Sequence, residues 1–134
     1  MKGRKPNLRL VAGGVVAGKC PPPPQWLTAQ AREAWQRVTP ALHRRGLLAP
    51  DTIGTVENYC CAAGMVVEFE ILMAAEGRVR TAAGGEQRPH PAFKMQQAAM
   101  REARLLAGEL GLTPHRRPAE ASAPVTDAWE GMLA

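Results

Sequence analysis

The segment that most constrains the fold is Asp51–Ala75, the only long stretch of the sequence that is apolar, periodic and without proline. Its apolar residues recur at steps of three or four, which places them on one face of an α-helix. They are Ile53, Val56, Cys60, Ala63, Val67, Ile71 and Ala74. A second, offset stripe consists of Tyr59, Val66 and Met73. Pro50 and Asp51 suit the start of this helix and Gly77 its end.

A helix with two apolar stripes needs apolar partners on two sides. With 134 residues, 46% of them apolar, the chain forms one small domain at most, and the remaining residues cover only part of such a helix. Self-association would cover the rest; the alternative is an ordinary buried core helix. The residues expected to make contacts between copies are Val56, Tyr59, Val66, Val67 and Met73.

A first helix is predicted before this segment. Thr28 is suited to cap it, and Ala31, Ala34, Trp35, Val38 and Leu42 share one face. Pro40 either kinks this helix, or Thr39 caps a short second piece. Gly46 suits its end, and a connection of about four or five residues then leads to the long helix, which predicts an antiparallel or angled pair. Two helices joined so closely also fit a helix-turn-helix, in which Arg44 and Arg45 would lie at the corner and could contact phosphates. The alternative is a pair of helices that pack together without contacting DNA.

Residues 78–88 predict a β-hairpin that turns at Gly84-Gly85, with an ordered loop as the alternative. A third helix follows from Ala92, with Gly111 as its stop. Its apolar face is Ala92, Met95, Ala99, Ala103, Leu106 and Leu110. Met95 and Met100 are expected to fill gaps in the core. The fold class is therefore mainly α: a small domain of three helices with a short hairpin or loop.

Residues 1–25 form a basic arm. They carry five cations and no acidic residue, which equals the net charge of +5 for the whole chain. Because this segment also contains Gly13, Gly14, Gly18 and the run Pro21–Pro24, it is expected to be disordered. A cationic arm gains phosphate contacts through counterion release, without reading sequence; a basic tail that only aids solubility is the alternative. The cations of the arm are Lys2, Arg4, Lys5, Arg9 and Lys19.

The organisation expected is an arm over 1–25, a helical core over 26–114 and a flexible tail over 115–134. The tail ends in VTDAWEGMLA, where Val125, Trp129, Met132 and Leu133 lie at spacings of four, three and one. Such a patch fits a peptide that docks on a partner as a helix in a groove; a frayed end is the alternative.

No catalytic, cofactor or metal site is expected. His43, His90 and His115 have no ligand neighbour at metal spacing and are expected at the surface, and no phosphate-binding glycine motif is present. Cys60 and Cys61 are adjacent, which disfavours a disulfide, and reduced thiols fit a cytoplasm. The sequence contains no uninterrupted apolar run of about 18 residues and no signal segment. Neither a membrane span nor secretion is therefore predicted.

Several short motifs occur at set spacings along the chain. They are the opening M-K-G-R-K-P, the proline run before Trp26-Leu27, W-x4-P-x-L-x3-G-L-L-x2-D from Trp35 to Asp51, Tyr59-Cys60, Gly84-Gly85 with Pro89, and E-L-G-L-T-P before Arg116-Arg117. Together these motifs resemble the phage terminase small subunit family. The sequence departs from the family pattern at Leu8-Arg9-Leu10, which has a single cation, and from Ala119 onwards.

The resemblance implies a non-catalytic DNA-packaging factor of the host cytoplasm. Such a protein assembles into a ring, engages double-stranded viral DNA, and recruits and regulates the large terminase subunit, which carries the ATPase and nuclease. Together with the residue patterns above, it gives DNA contact to the arm, assembly to the spare stripe of the long helix, and large-subunit docking to the tail. Arg44 and Arg45 are added to the DNA contacts by the helix-turn-helix pattern. A helix-turn-helix regulator that binds a specific DNA sequence is the alternative.

Overall fold

The computed structural model describes residues 18–115, which form three helices and one hairpin. In chain order they are α1 (Ala29–Arg44), α2 (Ile53–Glu76), β1 (Val79–Thr81), β2 (Gln87–Pro89) and α3 (Pro91–Glu109). The strands pair antiparallel, with Arg80 opposite Arg88. The prediction of a mainly α domain with a hairpin is confirmed. The predictions for residues 1–17 and 116–134 lie outside the described residues.

The first helix begins where the sequence predicts and continues through its proline. The Thr28 side chain accepts a hydrogen bond from the Ala31 amide at 3.3 Å, as an N-cap does. Thr39 stays inside α1, where its hydroxyl donates to the Trp35 carbonyl at 2.7 Å. It therefore caps no second piece, and of the two alternatives for Pro40 the structure has the continuous helix. Gly46, with φ of 72°, ends this region in the left-handed conformation.

The connection between α1 and α2 is residues 45–52, longer than the four or five residues predicted. Helix α2 begins at Ile53 rather than Asp51, because the Thr52 side chain is hydrogen-bonded within the turn that precedes the helix. Its Oγ1 lies 2.5 Å from the Leu47 carbonyl and 3.2 Å from that of Ala49. This connection also exceeds the turn of about three or four residues in a helix-turn-helix. The prediction that Gly77 ends α2 is correct, since its amide donates to the Met73 carbonyl at 2.8 Å.

The first two helices pack antiparallel through a close backbone approach. Gly64 of α2 lies against Ala31 near the start of α1, whereas Tyr59 shares a cleft with Arg37 and Ala41 further along α1. The cluster that results from this packing contains Leu27, Ala31, Ala34, Trp35, Leu42, Val56, Cys60 and Leu110. Because α1 begins beside the middle of α2, the second half of α2 extends past it.

The third helix packs along a different face of α2. Gln96 of α3 donates from Nε2 to the Val66 carbonyl at 3.2 Å and to the Glu70 carboxylate at 2.8 Å. Ala92, Ala99 and Leu110 are buried, as the periodicity predicts. Met95 and Met100 are 55% and 42% exposed, so the expectation that they fill the core is wrong. Both lie beside the α2 contact rather than in it, because the buried positions there are occupied by alanine and Gln96.

Ion pairs and one buried histidine join the end of α2 to the hairpin and α3. Glu70 pairs with Arg78, and Glu76 lies 2.7 Å from Arg80 and 2.5 Å from His90 Nε2. His90 Nδ1 accepts the Ala92 amide at 2.9 Å, so the ring proton lies on Nε2 and faces Glu76. His90 is 4% exposed, so the expectation of a surface residue is wrong. It is buried because it caps α3.

By length and composition alone, α2 is apolar enough to cross a membrane. These two properties are weak indications, because the central helix of a small soluble domain has the same character. Here α2 is flanked by α1 and α3 and contains four glutamates. Glu70 and Glu76 form the ion pairs described above.

Candidate nucleic-acid interface

Residues 18–25, the described part of the predicted arm, run back along α1. The Leu27 amide donates to the Pro24 carbonyl at 3.2 Å, and the indole Nε1 of Trp35 donates to the Pro21 carbonyl at 3.1 Å. Further along, His43 Nε2 lies 3.1 Å from the Gly18 carbonyl. This part of the arm is thus bound to α1 rather than disordered, because Trp35 and His43 of α1 contact the Pro21 and Gly18 carbonyls. Gly18, the first described residue, therefore lies beside the carboxyl end of α1.

A cationic cleft of about 340 Å³ lies at the same end of α1. Arg37 and Arg44, seven residues apart, are exposed on one face of the helix. No ion pair within residues 18–115 involves either side chain. Their charges are therefore available to an anion in solution. The cleft is lined by Arg37, Val38, Ala41, Arg44, Arg45, Tyr59 and Leu112.

The other two polar residues of the cleft are half-buried. Arg45 donates from Nη1 to the Gly111 carbonyl at 3.2 Å, which ties the end of α1 to the turn after α3. A cation at this position is favoured by the carboxyl-end dipole of α3. Burial raises the pKa of the Tyr59 phenol, and the positive charge of Arg37 partly offsets this. At neutral pH the phenol is therefore a neutral hydrogen-bond donor.

The structure brings together three of the seven residues predicted to bind DNA. Lys19 follows the glycine that contacts His43, so it lies at the same end of α1 as Arg44 and Arg45. The other four, Lys2, Arg4, Lys5 and Arg9, lie outside the described residues. Arg37 and Tyr59 were not among the predicted DNA contacts. The seven-residue spacing of Arg37 and Arg44 is the signal that could have added Arg37, whereas only the packing of α1 on α2 places Tyr59 there.

The residues expected to join copies of the chain fall in three environments. Val56 and Met73 are buried within the single subunit, and Tyr59 and Val66 are half-buried. Val67 is 37% exposed, and Ile71, one turn further along α2, is 55% exposed. Both follow Gly64, where the cover from α1 ends. The residues expected to dock a partner, Val125, Trp129, Met132 and Leu133, lie outside the described residues.

Within residues 18–115, no group of three or more His, Cys, Asp or Glu side chains is placed to hold a metal ion. The three cysteines are free. Burial raises the pKa of the Cys60 thiol to about 12, so this thiol is protonated and unreactive at neutral pH.

The three helices, the hairpin and the cationic cleft define a small helical domain with a basic surface at one end. The family model for the phage terminase small subunit matches residues 31–125, which include α2, the hairpin, α3, all of α1 except its first two residues, and every residue that lines the cleft. The chain belongs to this family. Searches of curated proteins and of solved structures found no match.

Membership in the family assigns this chain a role in phage DNA packaging. The small subunit is generally the non-catalytic subunit of terminase. The resemblance inferred from the sequence motifs is therefore confirmed. The match begins at Ala31 in α1 and ends at Val125, so it includes neither the basic arm nor Trp129.

Proposed function

We propose that this chain packages phage DNA by binding double-stranded DNA with the basic arm and the cleft of α1 together. The observation that carries this proposal is the path of residues 18–25. Their contacts with Trp35 and His43 bring the arm to the end of α1 where Arg44 and Arg45 lie. The cations of the arm and those of the helix then form one continuous basic surface.

Phosphate contacts supply the binding free energy in this proposal. Arg37 and Arg44 engage phosphates through exposed guanidinium groups, and the Tyr59 phenol adds a neutral donor. Lys2, Arg4, Lys5, Arg9 and Lys19 add charge without reading bases. Arg45 contributes charge while it holds the turn after α3.

The test is DNA binding by the double variant Arg37→Ala/Arg44→Ala as a function of salt. If both residues contact phosphates, the slope of log K against log salt falls by about 1.8, since each contact contributes about 0.9. The matched control is Arg101→Ala/Arg104→Ala, which removes two exposed arginines from α3 and should leave the slope nearly unchanged. Equal losses in the two variants would show that only net charge matters. Deleting residues 1–19 should weaken binding further without changing the oligomer mass.

Assembly into a ring is the second part of the proposal. A closed ring needs a heterologous contact between neighbouring copies. The part of α2 beyond Gly64, with Val67 and Ile71 exposed, provides an apolar surface for one side of that contact. Val56 and Met73 are buried within the subunit and take no direct part in this contact.

Recruitment of the large terminase subunit in the host cytoplasm is the third part. The segment with Val125, Trp129, Met132 and Leu133 docks that subunit as an apolar helix face. Trp129→Ala should abolish co-purification of the large subunit while leaving the oligomer folded. Retained co-purification would contradict this role for Trp129.

A further inference from the structure

An open apolar groove of about 500 Å³ runs between α2 and α3, on the side of α2 away from the cationic cleft. Its floor includes the small side chains Ala62 and Ala99, which are nearly buried, and its walls include Met65 and Met95, which are 44% and 55% exposed. Its lining residues are Asn58, Cys61, Ala62, Met65, Phe69, Met95, Ala98, Ala99, Glu102 and Leu106.

The groove has the character of a site for an apolar helix. Alanines in its floor allow a second backbone to approach closely, and methionines in its walls adapt to side chains of irregular shape. Asn58 and Glu102 place polar groups at its margin. Helix-in-groove binding uses apolar anchors at spacings of three, four and seven residues.

We propose that the groove binds the segment 125–134 of this chain. Within that segment Val125, Trp129 and Met132 have the spacing i, i+4, i+7 required of the anchors, with Leu133 beside them. Trp129 is the largest anchor, and aromatic residues dominate the energetics of such contacts. The family match ends at Val125, so the other three anchors lie beyond the matched residues.

The length of chain between α3 and the segment is sufficient for this binding. Residues 116–124 can span up to about 30 Å when extended. The groove residues of α3, from Met95 to Leu106, cover about 16 Å of helix. The segment therefore reaches the groove of its own subunit and, in an oligomer, that of an adjacent one.

Charge favours the same occupant. Residues 118–134 contain Glu120, Asp127 and Glu130 and no basic residue. Lys94 and Arg101 lie one turn on either side of Ala98 on α3, beside the groove. Because Glu102 also lines the groove, the apolar fit contributes more to binding than the charges do.

Binding of the segment in the groove has a consequence for partner docking. The same residues are proposed above to dock the large subunit, so the two contacts exclude each other, and the partner must displace the segment. Only this consequence depends on the proposed packaging function. The binding itself is tested on the isolated full-length protein, without DNA or a partner.

The test is the rate at which hydrogen peroxide oxidises each methionine of the full chain, measured by peptide mass spectrometry. Met65 in the groove and Met100 outside it are 44% and 42% exposed in the helical domain, so they are matched in access. With the segment bound, Met65 and Met95 oxidise at least about threefold more slowly than Met100. Trp129→Ala removes this protection, and Trp129→Phe retains part of it.

Two results would overturn the proposal. One is equal oxidation of Met65 and Met100 in the unaltered protein. The other is protection that persists in Trp129→Ala; if it also grows with protein concentration, a second copy occupies the groove.

Cross-linking provides an independent measurement. Cys61 lines the groove, so in a Cys20→Ser background Met132→Cys should form a disulfide with it under mild oxidation. Adding Cys61→Ser should abolish this product. Failure of the Cys61-containing variant to cross-link would contradict binding in the groove.

Discussion

Gly64 lies against the backbone of Ala31 so closely that a Cβ atom at Gly64 would be 2.7 Å from the Ala31 nitrogen and 2.9 Å from its Cα. Both neighbours are backbone atoms of a helix and cannot rotate away. This contact determines how near α1 lies to α2. It also marks the point beyond which α2 has no cover from α1.

Replacing Gly64 by alanine should therefore destabilise the domain, although alanine is the better helix former. We expect a loss of about 1–3 kcal/mol, typical of overpacking, despite a propensity gain of up to about 1 kcal/mol. Gly54→Ala is the control, because nothing lies within 4 Å of a Cβ atom there. Urea unfolding should show Gly64→Ala less stable and Gly54→Ala unchanged or more stable. Equal effects would contradict the close approach.

The N-cap formed by His90 predicts that two substitutions at this position will lose different amounts of stability. His90→Ala removes both the acceptor for the Ala92 amide and the donor to Glu76, and should cost about 1–2 kcal/mol. His90→Asn keeps a side-chain acceptor at the N-cap and should recover part of that loss. Thermal unfolding would measure both. If His90→Asn is as unstable as His90→Ala, the cap is not the important contact.

The two lowered carboxylate pKa values predict how stability changes with pH. Hydrogen bonds from His90 and charge from Arg80 lower the pKa of Glu76, and hydrogen bonds from Arg78 and Gln96 lower that of Glu70. A carboxyl with a folded-state pKa below its unfolded value contributes stability above the unfolded value, about 4.3, and loses it as pH falls through the folded one. The melting temperature should thus fall from about pH 5 downward.

Glu76→Gln tests the origin of that fall. The variant should be less stable than the unaltered protein at pH 7, and the difference should shrink as pH falls through the lowered folded-state pKa of Glu76, because the unaltered carboxyl then becomes neutral too. Glu33→Gln is the control, because Glu33 is exposed and forms no ion pair within residues 18–115. The same narrowing for Glu33→Gln would show a general charge effect.

The Trp35 indole should hold residues 18–25 on α1. Trp35→Phe removes the hydrogen bond to the Pro21 carbonyl, which should weaken the attachment of residues 18–25 to α1 by about 1 kcal/mol. This loss corresponds to detachment of the segment about fivefold more often. Trypsin should then cleave after Lys19 correspondingly faster. Cleavage after Arg101, in the middle of α3, reports global unfolding and provides the control. If both sites accelerate equally, the change is in global stability rather than in this contact.

The exposed end of α2 predicts how assembly depends on sequence. Val67→Ser/Ile71→Ser should reduce the oligomer mass measured by light scattering, while circular dichroism stays unchanged. Phe93→Ser/Leu105→Ser removes comparably exposed apolar side chains from α3 and serves as the control. An unchanged mass in the α2 variant would place the interface elsewhere.

Local features of the sequence determined the elements of this fold. Thr28 marks the start of α1 and Gly77 the end of α2, because a helix cap depends on a few neighbouring backbone groups. Gly84-Gly85 placed the hairpin turn for the same reason. The family motifs were also readable, since they consist of residue types at set spacings.

Tertiary structure decided which of the predicted faces are buried. Periodicity assigned Val67 and Met73 to two stripes, yet Val67 is 37% exposed and Met73 is 1% exposed. The cause is a difference in length: α1 has 16 residues and α2 has 24, and α1 begins beside Gly64, so Val67 lies beyond the part of its stripe that α1 covers. A helical period shows which residues share a face, but burial depends on where along the helix a partner begins and ends. The packing of the helices also placed Tyr59 beside Arg37 and Arg44 and buried His90. Neither result follows from a local sequence pattern.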